Sequence, residues 1–223
     1  MRTMDSSIEL NGPTAAIEIV EFGPALRVRG VRMRFARNAE IFGEDEPADY
    51  VYRVLSGAVR TLRFSQDGRR QILGFHFPGD IFGLEPGAEH SLSAEAVSNT
   101  EIVLVRRNHI DKVAAEHPAA ARAMLALSVD CLAQARDHAL ILGRKGAGER
   151  VAAFLLRLAD RAATRGELDL PMPRADIADY LALTIETVSR TFTEMERQCA
   201  IALPSSRHVV MRDRSALAEL SAA

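Results

Sequence analysis

Residues 174–195, RADIADYLALTIETVSRTFTEM, constrain this 223-residue chain more than any other stretch. Two short amphipathic runs, 176–181 and 185–195, flank the three-residue break Ala182-Leu183-Thr184. That is the layout of a helix-turn-helix. Thr184 suits the N-cap of the second helix, because its hydroxyl can accept from the free amides that open it. Glu186, Ser189 and Arg190 follow at i, i+3 and i+4, which puts them on one face near the start of that helix. Ile185, Val188 and Phe192 are expected to turn the other way and pack on Ile177, Ala178 and Leu181.

A carboxylate, a hydroxyl and a guanidinium in that position can read base edges in a major groove. Arginine donates a bidentate pair to O6 and N7 of guanine, and glutamate accepts from the N4 amine of cytosine. A solvated Glu–Arg pair on an ordinary surface helix, worth a few tenths of a kcal/mol, is the plainer reading. It explains the pair but not the preceding helix, the turn and the cap. The expectation is therefore base readout by Glu186, Ser189 and Arg190. Phosphate contacts are expected from Thr184, Thr187 and Arg174 at the two helix starts, where backbone amides also face outward, and from Arg207 on a following hairpin. Plain solvent exposure is the alternative for each of these four.

Bulk charge lends no help to that reading. The chain carries a net charge of −2, and from Arg144 to the end 12 basic residues face 11 acidic ones. Affinity for phosphate would have to come from the placement of a few arginines rather than from a basic domain. No apolar run is long enough to span a bilayer, and MRTMDSSIELNG lacks the apolar core of a signal peptide. Cys131 and Cys199 are the two cysteines and lie far apart, so no disulfide framework is implied. A cytoplasmic protein without a membrane partner is expected.

Along the chain, residues 1–22 show little periodicity and read as a loosely ordered lead-in. Residues 23–110 carry short alternating strands. Val31, Met33 and Phe35 fall on one side of VRGVRMRFA and Arg32 and Arg34 on the other, and Gly57 and Gln66-Asp67-Gly68 mark turns. Many short strands with glycine-marked turns imply a small β-roll or barrel. Residues 111–143 are expected to be helical, rich in alanine and leucine from Pro118 on. Ala120, Met124, Leu127, Cys131, Gln134, His138 and Ile141 recur at alternating spacings of four and three, the seam of a coiled coil about three heptads long. A second stripe, Ala121, Leu125, Leu132, Ala135 and Leu142, would then cover the β-roll. A single core helix inside one domain fits the same pattern. Gly143, Gly146 and Gly148 around Arg144-Lys145 mark a hinge into residues 144–223. There an amphipathic helix (148–163), a linker (165–173), the helix-turn-helix, a strand-turn-strand wing (201–211) and a short closing helix are expected.

IETVSR after DIADYL resembles the recognition element of the CRP/FNR superfamily of bacterial transcription regulators, most closely its FixK/FNR branch, and the resemblance extends from about Ala25 to Ala218. It implies an α+β chain: a cyclic-nucleotide-binding-like β-roll, a long dimerisation helix and a C-terminal winged helix-turn-helix. It also implies a homodimer on double-stranded DNA, reading a TTGA-type inverted repeat. Met124, Leu127, Cys131, Gln134, His138 and Ile141 would form the dimer interface, and contact with RNA polymerase would activate genes of oxygen-limited metabolism. Two positions depart from the pattern. Ala182 stands where glycine is usual in the turn, at a strain of about 1–2 kcal/mol if its φ is positive. Pro173 stands where a serine-like cap is usual.

The ligand chemistry of the family does not transfer. GDIFG (79–83) matches the turn before the nucleotide site, but the segment after it is LEPGAEHSLSAEA. Glu85 could stand in for the ribose-binding acid, whereas His90, Ser91 and Leu92 occupy the region where an arginine would hold the cyclic phosphate. No cysteine precedes Cys131, so one subunit cannot assemble an FNR-type iron–sulfur cluster. Histidines 76, 90, 109, 117, 138 and 208 form no zinc-type pair, and no nucleophile elbow, P-loop or acid/base pair is present. The expectation is a regulator that is not an enzyme and needs no cofactor. The alternatives are a ligand-gated regulator sensing haem (through His76 or His90), a nucleotide or another small molecule in the β-roll, and an adaptor whose helix-turn-helix binds protein.

Overall fold

The computed structural model describes residues 17–21, 27–65, 67–143, 146–162 and 166–222. The lead-in up to residue 16, Gln66 of the hairpin turn and the Arg144-Lys145 centre of the hinge lie outside the described residues.

Nine strands build the N-terminal half. They are β1 (Ile17–Glu21), β2 (Arg27–Phe35), β3 (Glu40–Phe42), β4 (Tyr50–Ser56), β5 (Val59–Phe64), β6 (Arg70–His76), β7 (Ile81–Phe82), β8 (Ser93–Ala96) and β9 (Thr100–Arg106). One antiparallel sheet runs β1-β2-β9-β4-β7 and the other β3-β8-β5-β6. Phe42, Val59 and Ala94 of the second sheet share a core with Tyr52, Val54, Phe82 and Ile102 of the first, so the two sheets face each other as a roll. Gly30 sits where a Cβ would stand 2.3 Å from Val103 Cγ1 and 2.8 Å from the Leu104 carbonyl oxygen, so only glycine lets β2 and β9 approach this closely. The lead-in assignment is corrected at its end: Ile17–Glu21 is an edge strand paired with β2. Backbone pairing holds it rather than an apolar face, since Ile17 and Ile19 are exposed and Val20 alone is buried.

The helical region is two helices, not one. α1 (Arg107–Glu116) follows β9 directly, and α2 (Pro118–Leu142) begins after His117, whose extended backbone suits a residue before proline. Both cover the outer face of the first sheet, where Ile110 and Ala120 join Val28, Val51, Val103 and Val105. Part of the expected seam packs within the chain itself. His138 and Ile141, expected at a dimer interface, are buried against the chain's own C-terminal half: His138 stacks on Tyr180 with ring centroids 4.0 Å apart, and Ile141 shares a core with Val151. Met124 and Leu127 pack toward the β-roll core. The exposed stripe is instead Leu125 (65%), Val129 (55%), Leu132 (49%) and Leu140 (68%). Heptad spacing identifies faces of a helix but not which neighbour each face meets; Cys131 and Gln134 of the expected seam are exposed as well.

The C-terminal half contains α3 (Ala147–Ala162), β10 (Glu167–Asp169), α4 (Arg174–Leu181), α5 (Ile185–Arg197), β11 (Ile201–Ala202), β12 (His208–Met211) and α6 (Arg214–Ala222). β10, a strand inside the expected linker, pairs with β12 and makes the wing a three-stranded sheet, β10-β12-β11. Leu168 at its centre is buried, which anchors the segment.

The two halves share one apolar core. Leu62 of β5 and Ile72 and Phe75 of β6 are buried with Phe154 of α3, Tyr180 of α4 and Leu181. Phe75 and Tyr180 lie 5.2 Å apart. A register shift makes this possible. Thr61 opposes Gly74 and Leu62 opposes Ile72, so Leu73 is an extra residue, and Ile72 and Phe75 reach the same face although three apart. Arg60 on that face bonds Glu95 at 2.5 Å and Asp176 of α4 at 2.7 Å, while Arg70 bonds Asp176 at 2.6 Å and Asp179 at 2.6 Å. Asp176 is 2% exposed, and losing one partner of such a buried pair costs about 3–5 kcal/mol.

Gly30→Ala is expected to lower unfolding free energy by about 1–3 kcal/mol in urea titration, because the added methyl cannot fit between β2 and β9.

Candidate nucleic-acid interface

α5 presents the expected triad. Glu186, Ser189 and Arg190 are all exposed, and Val188, Phe192 and Met195 on the opposite side are buried. Thr184 caps the helix as its sequence position demands: with extended backbone, its hydroxyl accepts from the Thr187 amide at 3.2 Å. The hydroxyls of Thr184 and Thr187 lie 3.1 Å apart. The Glu186 carboxyl is held below the usual carboxylate range by its own backbone amide first, then by the Thr184 hydroxyl and the Arg190 charge. It is therefore a full acceptor at neutral pH. Arg190 Nε donates to the Glu186 carbonyl at 3.4 Å, which keeps the guanidinium along the helix rather than across it. Ile185, expected in the core, is 44% exposed. It is the first residue of the helix and adds an apolar contact to the same end, of the kind that suits a thymine methyl.

The turn is strained and propped. Ala182 adopts φ 52°, ψ 48°, the left-handed conformation that glycine would take without cost. The Leu183 amide still reaches the Ala178 carbonyl at 3.0 Å, and Arg150 of α3 donates to the carbonyl oxygens of Leu181 at 3.0 Å and Ala182 at 3.4 Å. Arg150 thus satisfies the C-terminal end of α4, a role that its sequence position gave no sign of.

The expected phosphate ligands separate into two places. Arg174 opens α4, with its guanidinium carbon 3.3 Å above the Phe192 ring. Burial alone pushes its pKa down to about 10, and its Nη1 is buried without a hydrogen-bond partner among the described residues. This is a cation held over an aromatic face and paired with no carboxylate among the described residues. Pro173 before it supplies no capping oxygen. Arg207 is not brought to α5. It lines a groove of about 750 Å³ with Phe77, Pro78, Asp80, Leu158 and Arg161, whose lining includes no α5 residue.

The β-roll retains a cleft of about 560 Å³ between β6, β7 and α2, lined by His76, Cys131, Gln134 and His138 among others. Its arginines, Arg157 and Arg161, come from α3; Arg157 donates to the Gln134 carbonyl at 3.2 Å, and Arg161 pairs with Asp80. Glu85 is engaged within its own loop, accepting from the Ser91 hydroxyl at 2.9 Å and lying 3.6 Å from His90 Nδ1. His90 stacks on Phe42 with ring centroids 3.6 Å apart, in the interior of the roll. His76 shares a hydrogen bond with Thr61 at 3.2 Å, and burial pushes it down to about 4, so it is neutral above pH 6. Burial pushes the Cys131 thiol up, away from reactivity. Among the described residues no group of three or more histidine, cysteine or carboxylate side chains could hold a metal, and no helix is long and apolar enough to cross a membrane.

Ala182→Gly is expected to stabilise the fold by about 1 kcal/mol through relief of the left-handed strain, and Thr184→Ala to destabilise it by about 1 kcal/mol through loss of the cap. Thermal melting of the two variants beside the parent checks both signs.

Residues 149–220 match the family profile of the Crp-like helix-turn-helix domain, and residues 32–117 that of the cyclic nucleotide-binding domain. The chain is 49% identical to the nitrogen fixation regulation protein FixK of Azorhizobium caulinodans, over 95% of this chain and 88% of that one. It is 40% identical to the protein of the same name from Rhizobium meliloti, over 92% and 94% of the two chains. The solved structure of FixK2 from Bradyrhizobium japonicum superposes with a TM-score of 0.84 at 47% identity, covering 87% of this chain and 98% of that one. The folded body, the capped α5 with its outward triad and this similarity over nearly the full length lead to one conclusion: the chain belongs to the CRP/FNR family of DNA-binding transcription regulators and is of the FixK type.

Proposed function

We propose that the chain works as a homodimeric activator that binds a TTGA-type inverted repeat and contacts RNA polymerase, controlling genes of oxygen-limited metabolism in the cytoplasm. The observation that carries this reading is the exposed face of α5, where Glu186, Ser189 and Arg190 stand together on a capped and rigidly held helix. Arg190 reads the guanine, Glu186 the amine edge on the opposite strand and Ser189 a thymine. Thr184, Thr187 and Arg174 meet phosphates around them. The unmatched charge of Arg174 supports its assignment, whereas Arg207, set in its groove, is the weaker phosphate ligand. The FixK relatives are named for the regulation of nitrogen fixation, a relative from Rhodopseudomonas palustris is named a transcriptional activatory protein, and the oxygen-linked control is carried over from the family resemblance.

Dimerisation is assigned to the exposed ridge Leu125, Val129, Leu132 and Leu140 of α2, a stripe that a second copy of the helix would cover. Two-fold symmetry then matches the symmetry of an inverted repeat.

DNA binding without an added effector is part of the proposal. Support comes from the loop 84–92, which offers no guanidinium to a cyclic phosphate and has its one candidate acid, Glu85, already bonded to Ser91. The 560 Å³ cleft favours a second reading, a regulator gated by a small molecule seated beside His76.

Purified protein is expected to bind a palindromic duplex in air with unchanged affinity when cyclic AMP is added, read by fluorescence anisotropy. A strict need for the nucleotide, or a Soret band in the purified protein, favours the gated reading instead. Arg190→Ala is expected to cost about 1–3 kcal/mol and to relax preference at one base pair; equal weakening on all sequences would make it a phosphate contact. Leu125→Glu combined with Leu132→Glu is expected to shift the protein toward monomer in sedimentation velocity, while the far-ultraviolet circular dichroism stays that of the parent.

A further inference from the structure

The recognition helix makes, among the described residues, no polar side-chain contact with the β-roll. Among the described residues, the side-chain bonds along α5 stay within the C-terminal half: Thr191 to the Thr187 carbonyl, Thr193 to the Ser189 carbonyl, Arg197 to Glu194, and Glu196 from the Leu203 amide. α4, by contrast, is fastened to the β-roll along its length. Arg60 and Arg70 grip Asp176 in its first turn, and Arg70 reaches on to Asp179. Gln71 Nε2 donates to the Asp179 carbonyl at 2.6 Å, and His138 Nε2 donates to the Tyr180 carbonyl at 2.8 Å. Phe75 and His138 pack on the Tyr180 ring. Asp176, Asp179 and Tyr180 of α4 are thus held by β5, β6 or α2, and α5 follows through the propped turn at Ala182.

We infer that Arg60, Arg70 and Gln71 of the β-roll are positioning residues for operator spacing: through Asp176 and Asp179 they set where the base-reading face of α5 stands relative to the dimer axis. The inference rests on the proposed dimeric reading of an inverted repeat. It follows from geometry. Adding one base pair between half-sites moves the second site by about 3.4 Å and turns it by about 34°. A reader tolerates that change only if its recognition helix can shift with respect to the body that dimerises. Three adjoining side-chain pairs and a backbone-directed amide, seated over a shared apolar core, leave α4 no such freedom. The contacts of β5 and β6 with α4 then set the spacing. The three β-roll residues touch no base, so their effect is on the distance between the two half-sites and not on the sequence of either.

The test uses the full-length protein and duplexes that carry the same two half-sites with the spacer shortened or lengthened by one base pair. The parent is expected to lose affinity by about tenfold or more at each altered spacer. Arg70→Ala and Asp179→Ala, on the half-exposed rim of the contact, are expected to cut that penalty to about threefold or less while leaving the base preference within each half-site as in the parent. Gln71→Leu removes one bond without stranding a buried charge, and it is expected to move the penalty in the same direction if the alanine variants fail to fold. Arg70→Lys, which keeps a cation beside both Asp176 and Asp179, is expected to retain the parental spacer profile. Folded variants that discriminate spacers as the parent does, or that weaken equally on all of them, overturn the inference while leaving the dimeric reading intact. A parent that binds single half-sites as well as repeats overturns the dimeric reading, and the inference with it.

Discussion

Asp176 stands where the two halves of the molecule meet, and the architecture depends on its surroundings. A carboxylate at 2% exposure persists only because Arg60 and Arg70 both reach it. Those arginines come from neighbouring strands of the β-roll, whereas the carboxylate opens the first helix of the helix-turn-helix. Around the charges lie Leu62, Ile72, Phe75, Phe154 and Tyr180, one apolar cluster drawn from both halves. Desolvation makes such a network a poor source of net stability, yet a severe constraint on geometry, since any other docking would leave a buried charge unmatched. The scaffold and the reading head are therefore one packed body rather than two beads on a hinge.

Much of this was legible in the residues, for local reasons. The cap at Thr184, the outward triad and the ends of α4 and α5 that flank the turn follow from spacing and from the chemistry of helix ends, which act over three or four residues. The alternating strands of the roll were visible for the same reason. What escaped was non-local. Nothing near His138 shows that it will stack on Tyr180, 42 positions on, so its packing within the chain was not foreseen. β10 carries one buried leucine between two exposed acids, too short a pattern to separate from a linker, and only its pairing with β12 makes it a strand. The extra residue Leu73, which turns Phe75 toward α4, leaves no mark in composition.

Within the candidate interface the same division holds. Glu186, Ser189 and Arg190 were identifiable because one helical turn gathers them. Arg150 was not, because its task is to reach across from α3 to the end of α4. Ile185 was placed in the core by its apolar character, but as the first residue of the helix its side chain has no facing layer to enter. Arg174 needed the Phe192 ring to show how its charge is held. The strain at Ala182 and the support from Arg150 belong together, since the turn keeps its shape through a contact made elsewhere and not through glycine.

The burial of the Asp176 network has a consequence for how the molecule responds to its solution. Ions screen exposed charges over a Debye length of about 8 Å at physiological ionic strength but act far less on pairs from which water is shut out. Contacts that the proposed phosphate ligands would make fall in the first class, and the grip on α4 falls in the second. Rising electrolyte therefore strips the nucleic acid from the protein long before it loosens the joint behind the reading head, and the molecule that comes off the duplex is already shaped to return to it.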